Sequence, residues 1–342
     1  MQWRPFSKMG YALSLLDKSP VFNGETAHAA LKRSVALARQ AEEWGFHRFW
    51  VAEHHDTPDV ASSSPEVLIA FIAAHTSTIR IGSGGVMLQH YSPYKVAENF
   101  NVLASLAPGR IDLGVGKAPG GLPFSTRALQ GLLPRAEKQD FAAQLEQLGA
   151  FLDDGLPVSH PLASVRATPL PAAAAERFLL GASPDSAILA ATQGWNFVFA
   201  SHLNGDEEVL KQTLDIYTGK SQGQKPLLAV GVVAAETDSE AEQLVGDIQH
   251  FKVHVEGGQS VTVGSVEQAE EYARQAGASS YRIEKKTPNV IRGSARKVLC
   301  ELDRLHKRFG IGEFVIDTPI RDAAKRLSSI QLLAQAQHAL AA

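Results

Sequence analysis

Eight short runs rich in β-branched and other apolar residues recur along this 342-residue chain, each followed by a longer amphipathic stretch. That alternation constrains the fold more than any other feature, because it is the pattern of parallel strands joined by helical crossovers. The predicted strands are Tyr11–Leu16, Arg48–Ala52, Ile79–Gly84, Arg110–Val115, Phe178–Gly181, Phe197–Ala200, Leu227–Val233 and Phe314–Asp317. Most are unbroken apolar runs, as expected of strands buried on both faces. Eight strand–helix units predict an α/β protein closed as a (β/α)8 TIM barrel.

The helices carry their own punctuation. Leu31, Val35, Ala38 and Ala41 fall at helical spacing, Trp44 extends that face, and Gly45 ends the helix before the second strand. Ser92-Pro93 reads as a cap and first-turn proline ahead of Val96, Phe100 and Leu103 on one face. Ser183-Pro184-Asp185 repeats the device, with Gly194 as the stop. Two stretches depart from the repeat. Pro119 to Pro171 holds an amphipathic middle near Phe141–Leu152 and an Ala/Pro-rich end. Gln222 to Asn289 opens with strand seven, so the insertion proper covers about 235–290, with breaks at Gly257-Gly258 and Gly277. Both read as insertions on the barrel loops of one domain spanning 1–342, neither with enough apolar alternation for a core of its own.

Composition narrows the partners. The formal charge of −3, with neither sign in long runs, leaves no footprint for nucleic acid or an anionic membrane, which makes a small molecule the expected partner. No apolar run approaches the about 18 residues of a membrane span. The beginning Met-Gln-Trp-Arg-Pro-Phe-Ser-Lys lacks a secretory core, and the single cysteine, Cys300, excludes an intrachain disulfide. A cytoplasmic location is the expectation. Cys300 falls in the helix-like run Ser294–Phe309 and reads as a packing residue.

On the barrel reading, residues just past strand ends face the side where barrel chemistry collects. Glu53-His54-His55-Asp56 follows strand two; an imidazole there suits acid–base work, while the plainer reading is a set of strand-end groups bonded to one another. The run has no matching ligand set elsewhere, so metal is not expected. Ser83-Gly84-Gly85 ends strand three, where glycine permits a bulge or a backbone lying against a planar ligand, or simply a tight turn. Lys117, after Gly114-Val115-Gly116, suits a phosphate or a rim ion pair. Ser183 and Ser186 at a helix start offer anion-binding donors or an ordinary cap. No P-loop, no G-x-G-x-x-G after the first strand and no G-x-S-x-G elbow is present, which disfavours a Rossmann site and a serine hydrolase.

Taken in order, the motifs resemble the bacterial luciferase-like flavin monooxygenase superfamily over nearly the whole chain, and its uncharacterised single-chain branch more than luciferase itself. The resemblance is carried by Ala-Arg-Gln-Ala-Glu-Glu-Trp-Gly-Phe-His-Arg-Phe-Trp-Val-Ala-Glu-His-His from Ala38 to His55 and by Ile-Arg-Ile-Gly-Ser-Gly-Gly-Val-Met-Leu from Ile79 to Leu88. Pro93–Asn99, Leu106–Gly116, Gly181–Ser186 and Gly312–Asp317 add to it. It implies a barrel of the bacterial-luciferase type in which His54 is the active-site histidine beside the flavin ring. It also implies a non-proline cis peptide at Gly84-Gly85 under that ring, and flavin phosphate held by Lys117, Ser183 and Ser186. Two positions depart from luciferase: Gly116 replaces a reactive cysteine, and Ala182 stands for an acidic residue of the phosphate loop. Light emission is therefore not predicted. The expected activity is oxygenation of a small organic substrate with reduced FMN, loosely bound and supplied by a separate NAD(P)H-dependent flavin reductase, in a homodimer. The alternatives are hydride transfer with the deazaflavin F420, a non-catalytic flavin-binding barrel, and a metal-dependent barrel hydrolase.

Overall fold

A computed structural model describes residues 9–341 apart from 132–138, 154, 203–204, 247 and 257–259, so the opening eight residues and Gly257-Gly258 lie outside the described residues. The chain runs β1 (Ala12–Asp17), α1 (Ala27–Glu43), β2 (Arg48–Val51), α2 (Pro65–Ala73), β3 (Arg80–Ser83), β4 (Val86–Met87), a 3-10 turn at Leu88–His90, α3 (Pro93–Leu106), β5 (Ile111–Gly116), α4 (Pro123–Gln130) and α5 (Phe141–Leu152). It continues with β6 (Glu176–Gly181), α6 (Pro184–Thr192), β7 (Asn196–Ala200), α7 (Glu207–Lys220), β8 (Leu227–Ala235), α8 (Asp238–Val245), β9 (His250–Val255), β10 (Val261–Val263), α9 (Val266–Gln275), β11 (Tyr281–Lys286), β12 (Val290–Ser294), α10 (Ala295–Phe309), β13 (Glu313–Asp317) and α11 (Ala323–Ala341).

All eight predicted strands are present, and they close. In parallel order β1, β2, β3, β5, β6, β7, β8 and β13 pair side by side, and β13 pairs back onto β1 with Ala12 opposite Glu313 and Leu15 opposite Ile316. The two-residue period sorts the side chains. Phe197, Phe199, Leu228, Val230, Phe314 and Ile316 point out into the main core beneath the helices; Val198, Leu227, Ala229 and Val315 alternate with them and fill the barrel interior with Leu16, Trp50 and Phe178. Proline at the first turn starts α2, α3, α4 and α6, where its missing N–H costs no helical bond.

The amino ends of the strands form a charged floor. Arg48 bonds Glu313 at 3.0 Å, Glu176 at 2.9 Å and Asp112 at 3.0 Å, and Asp112 also takes Arg80 and the Trp50 indole N–H at 2.9 Å. Asp112 is fully buried, so this pairing is what makes its charge tolerable there.

Three sequence expectations change. Phe141–Leu152 is one of the ring helices: Leu145, Leu148 and Phe151 are buried, and α5 packs on α3. The second insertion does have a small core. A three-stranded antiparallel sheet ordered β10-β9-β11 packs Val253 against Ala269 and Tyr272 of α9, with Leu122 from the first insertion beside them. Polar residues interrupt β9 and β11, so their strand signal was faint. Cys300 is exposed, because α10 buries Val298, Leu299, Leu302 and Leu305 and position 300 turns away from that stripe.

Candidate active site at the barrel mouth

Every residue singled out above sits at a strand's carboxyl end, and the closed order of strands brings these ends into one ring. His54 follows β2, Gly84-Gly85 follow β3, Lys117 follows β5 and Ser183 follows β6.

The histidine run divides into two parts. Glu53 is fully buried and ties down the loop: its carboxylate accepts from His55 Nε2 at 2.7 Å, the Tyr91 hydroxyl at 2.8 Å and the Met87 N–H at 3.1 Å. For Glu53 and His55 the plainer reading holds. His54 differs. Its backbone N–H bonds Ser62 O at 2.9 Å, but its ring Nδ1 is sealed from solvent and has no hydrogen-bond partner among the described residues. The ring lines an open cleft of about 480 Å³ with Thr57, Pro58, Ala61 and Ser63. Burial, with Lys18 nearby, pushes its pKa down to about 4, so the imidazole is neutral near pH 7, with one ring nitrogen able to accept a proton and the other to donate a hydrogen bond.

Gly84-Gly85 form a bulge joined by a cis peptide bond. From Ile81 to Val86 the chain takes five steps while its partner β5 takes four, Ile111 to Val115, so one extra residue is absorbed here. The seam is tight. A Cβ on Gly85 would lie 2.7 Å from the Gly114 carbonyl, and the Ser83 hydroxyl donates to Gly114 O at 2.8 Å. Gly116 is the opposite case, with Met87 Sδ at 3.9 Å as the nearest atom to such a Cβ.

Across the ring, β5 and β6 pair with Gly116 opposite Leu180, which sets Lys117 beside the Gly181–Ser183 turn. Lys117 is exposed and has no ion-pair partner among the described residues. Ser183 caps α6, accepting from Ser186 N at 3.4 Å, and its hydroxyl lies 3.1 Å from that of Ser186. Ala182 is half-buried in the same turn.

Sequence reasoning missed the other half of the mouth. Lys18 after β1 bonds Asp317 at the end of β13 at 2.6 Å, and His202 after β7 stands near both. Burial and Lys18 push the His202 pKa down to about 4, and its Nδ1 too lacks a partner among the described residues. Burial alone would raise the Asp317 carboxyl, but the Lys18 ammonium holds it below the usual range. The available signal was the same position rule: a polar residue directly after a barrel strand. Among the described residues no three His, Cys, Asp or Glu side chains gather as they would around a metal ion.

Comparison with known proteins fixes the family. The luciferase-like monooxygenase model matches residues 11–313. The chain belongs to the luciferase-like monooxygenase family. It is 47% identical over 327 residues to the N-acetyl-S-alkylcysteine monooxygenase of Bacillus subtilis, covering 95% of this chain and 97% of that one. The crystal structure of apo-MsnO8 superposes with a TM-score of 0.76 at 34% identity, covering 96% and 98% of the two chains. The oxygenating constituent of 3,6-diketocamphane monooxygenase from Pseudomonas putida, solved with FMN, shares the fold at a TM-score of 0.67 and 19% identity, covering 95% and 97%. This luciferase-like monooxygenase thus carries at its mouth a neutral imidazole, a glycine bulge and a cationic rim. The arrangement suits moving a proton at a bound planar group and anchoring an anionic tail. No helix among the described residues is long and apolar enough to cross a membrane.

Proposed function

We propose that this luciferase-like monooxygenase binds reduced FMN across the barrel mouth and oxygenates a small organic substrate there, with electrons delivered by a separate NAD(P)H-dependent flavin reductase. Bound reduced flavin supplies the electrons that activate dioxygen. The chain supplies the rest. Gly84 and Gly85 offer backbone without side chains to the ring, and Gly116 leaves space beside it. Lys117, the Ser183 and Ser186 hydroxyls and the Ala182 backbone offer a charge and donors to the phosphate, at the positive end of α6. His54 offers a neutral ring that accepts a proton or donates a hydrogen bond while the buried surroundings keep water from it.

The observation that carries this reading is the sealed, unpartnered Nδ1 of His54, on the strand next to the glycine bulge. An unbonded buried polar atom costs roughly 1–3 kcal/mol, which a purely structural histidine would avoid. Anaerobic titration with reduced FMN and, separately, reduced F420, followed by admission of air, tests it. Saturable FMN binding and oxygen consumption that yields an oxygenated product support the reading. F420 binding without oxygen consumption replaces it with hydride transfer, and FMN binding without turnover reduces the protein to a flavin-binding barrel. N-acetyl-S-alkylcysteines are the first substrates to try, given the Bacillus subtilis relative.

A homodimer in the cytoplasm completes the proposal. Val67 and Phe71 on α2 and Val102 and Leu106 on α3 form two outward i,i+4 apolar pairs on neighbouring helices, Val67 and Leu106 being 67% and 72% exposed. Light scattering should give twice the chain mass, and Val67→Glu with Leu106→Glu should halve it. The lone thiol, exposed Cys300, fits a reducing compartment.

A further inference from the structure

The loop that follows His54 is pinned to the loop after β1. The Val21 N–H donates to Asp59 O at 2.8 Å and the Ala61 N–H to Ser19 O at 3.0 Å, while Pro20 and Val60 form a single β-bridge. The pinned loop walls the cleft that His54 lines. Within it Val60 and Ala61 are half-buried and offer apolar surface, while Asp56, Thr57 and Ser63 offer polar side chains. None of these three side chains makes a hydrogen bond or ion pair among the described residues. His54, in the same wall, is the side chain whose Nδ1 is sealed and unpartnered. Asp56 is the one carboxylate lining the cleft, and no cation in its lining offsets it: Lys18, whose charge reaches His54, is paired with Asp317 at 2.6 Å. The Asp56 backbone has φ 51°, in the left-handed region that Asp and Asn enter more readily than other side chains.

A free carboxylate beside an apolar strip fits a ligand with an apolar body and a donor head. A protonated amine is the strongest such head: it brings N–H donors and a charge opposite to that of Asp56, in a charge-assisted bond about twice as strong as a neutral one. An acid in the same place meets like charge. A ligand that covers Asp56 also removes water from it, which strengthens both the attraction and the repulsion. We propose that Asp56 is a specificity-determining residue that selects substrates carrying an amine, seating the nitrogen in the cleft while the apolar part lies along Val60 and Ala61 toward His54. That the atom brought toward His54 is oxygenated rests on the function proposed above; the preference for an amine rests only on the cleft.

The test titrates methylthiopropylamine, methylthiopropanol and methylthiopropanoate calorimetrically, each into the full-length protein carrying reduced FMN under anaerobic conditions and into protein without flavin. The probes keep an S-alkyl group and one chain length and vary only the head. The wild type is expected to bind the amine at least about tenfold more tightly than the acid, with the alcohol between them. Asp56→Asn, a side chain at ease in the left-handed region, should bring the three within about twofold at an unchanged urea midpoint. Asp59→Asn, on the same loop but outside the cleft lining, should leave the order intact. Equal binding of the three by the wild type, no binding of the amine, a preference that survives Asp56→Asn, or an equal loss in Asp59→Asn would overturn the assignment. Displacement of the amine by reduced FMN would overturn it too, giving the cleft to the flavin. Should the amine preference hold while no oxygen is consumed on any probe, the cleft stands and the oxygenase reading of these substrates falls; oxygen consumption with no preference among the heads removes the cleft and leaves the oxygenase.

Discussion

The two ends of the barrel handle buried polar groups in opposite ways. At the floor, Asp112 meets Arg48, Arg80 and Trp50, and Arg48 in turn meets Glu176 and Glu313, so no charge there is left alone. At the mouth, two imidazoles are sealed without a partner for Nδ1 and are kept neutral by burial and by Lys18. Groups that complete one another stabilise; groups left incomplete are available to a ligand. The two arrangements lie at opposite ends of strands four to nine residues long.

Substitutions at the two ends should separate these roles. The largest effect belongs to the floor: Asp112→Ala strands two arginines and should cost about 3–5 kcal/mol in urea denaturation. His202→Ala loses only the ring's bond to the Ala229 carbonyl and should cost less, about 1–2 kcal/mol. Equal losses at the two ends would erase the distinction. His54→Ala should lower turnover by about 10²–10⁴-fold, the usual range for a positioned acid–base group, with reduced-FMN affinity and the denaturation midpoint retained. The glycines sharpen the comparison within the mouth. Gly85→Ala has no room against Gly114 and should cost about 1–3 kcal/mol, whereas Gly116→Ala meets nothing closer than 3.9 Å and should be nearly neutral in the same assay. Lys117→Ala should weaken FMN about tenfold and leave riboflavin, which lacks the phosphate, unaffected; equal loss for both ligands would remove Lys117 from the phosphate site.

The two ends also differ in the pH dependence of stability. His54 and His202 have folded-state pKa values near 4, below the about 6.5 of an unfolded histidine. Above pH 6.5 neither state takes up protons at these rings and nothing is lost. As pH falls from 6.5 toward 4 the unfolded chain gains protons that the folded one refuses, so stability declines, and it levels off below 4. His202→Gln should flatten that decline; a wild-type midpoint that stays constant over this range would contradict neutral burial of the two rings.

The barrel was legible in the sequence because its strands are buried on both faces and read as apolar runs, and because Pro93 and Pro184 mark helix starts. The small sheet was not, since β9 and β11 place Lys, His and Glu among few apolar residues and are held by one buried valine and a helix of weak apolar character. Within the site, His54 and Gly84-Gly85 were found because each motif is contiguous. Lys18 and Asp317 are 299 positions apart and become neighbours only because β13 closes against β1. A local pattern cannot say which strand ends meet; only the order of strands around the ring does.

That closure carries a consequence in time. β1 leaves the ribosome first and β13 nearly last, yet they meet at the floor, where the Ser14 hydroxyl donates to Glu313, and at the mouth, where Lys18 meets Asp317. A chain still being made, with its first seven barrel strands complete, has neither link, so the mouth closes only after β13 has been made.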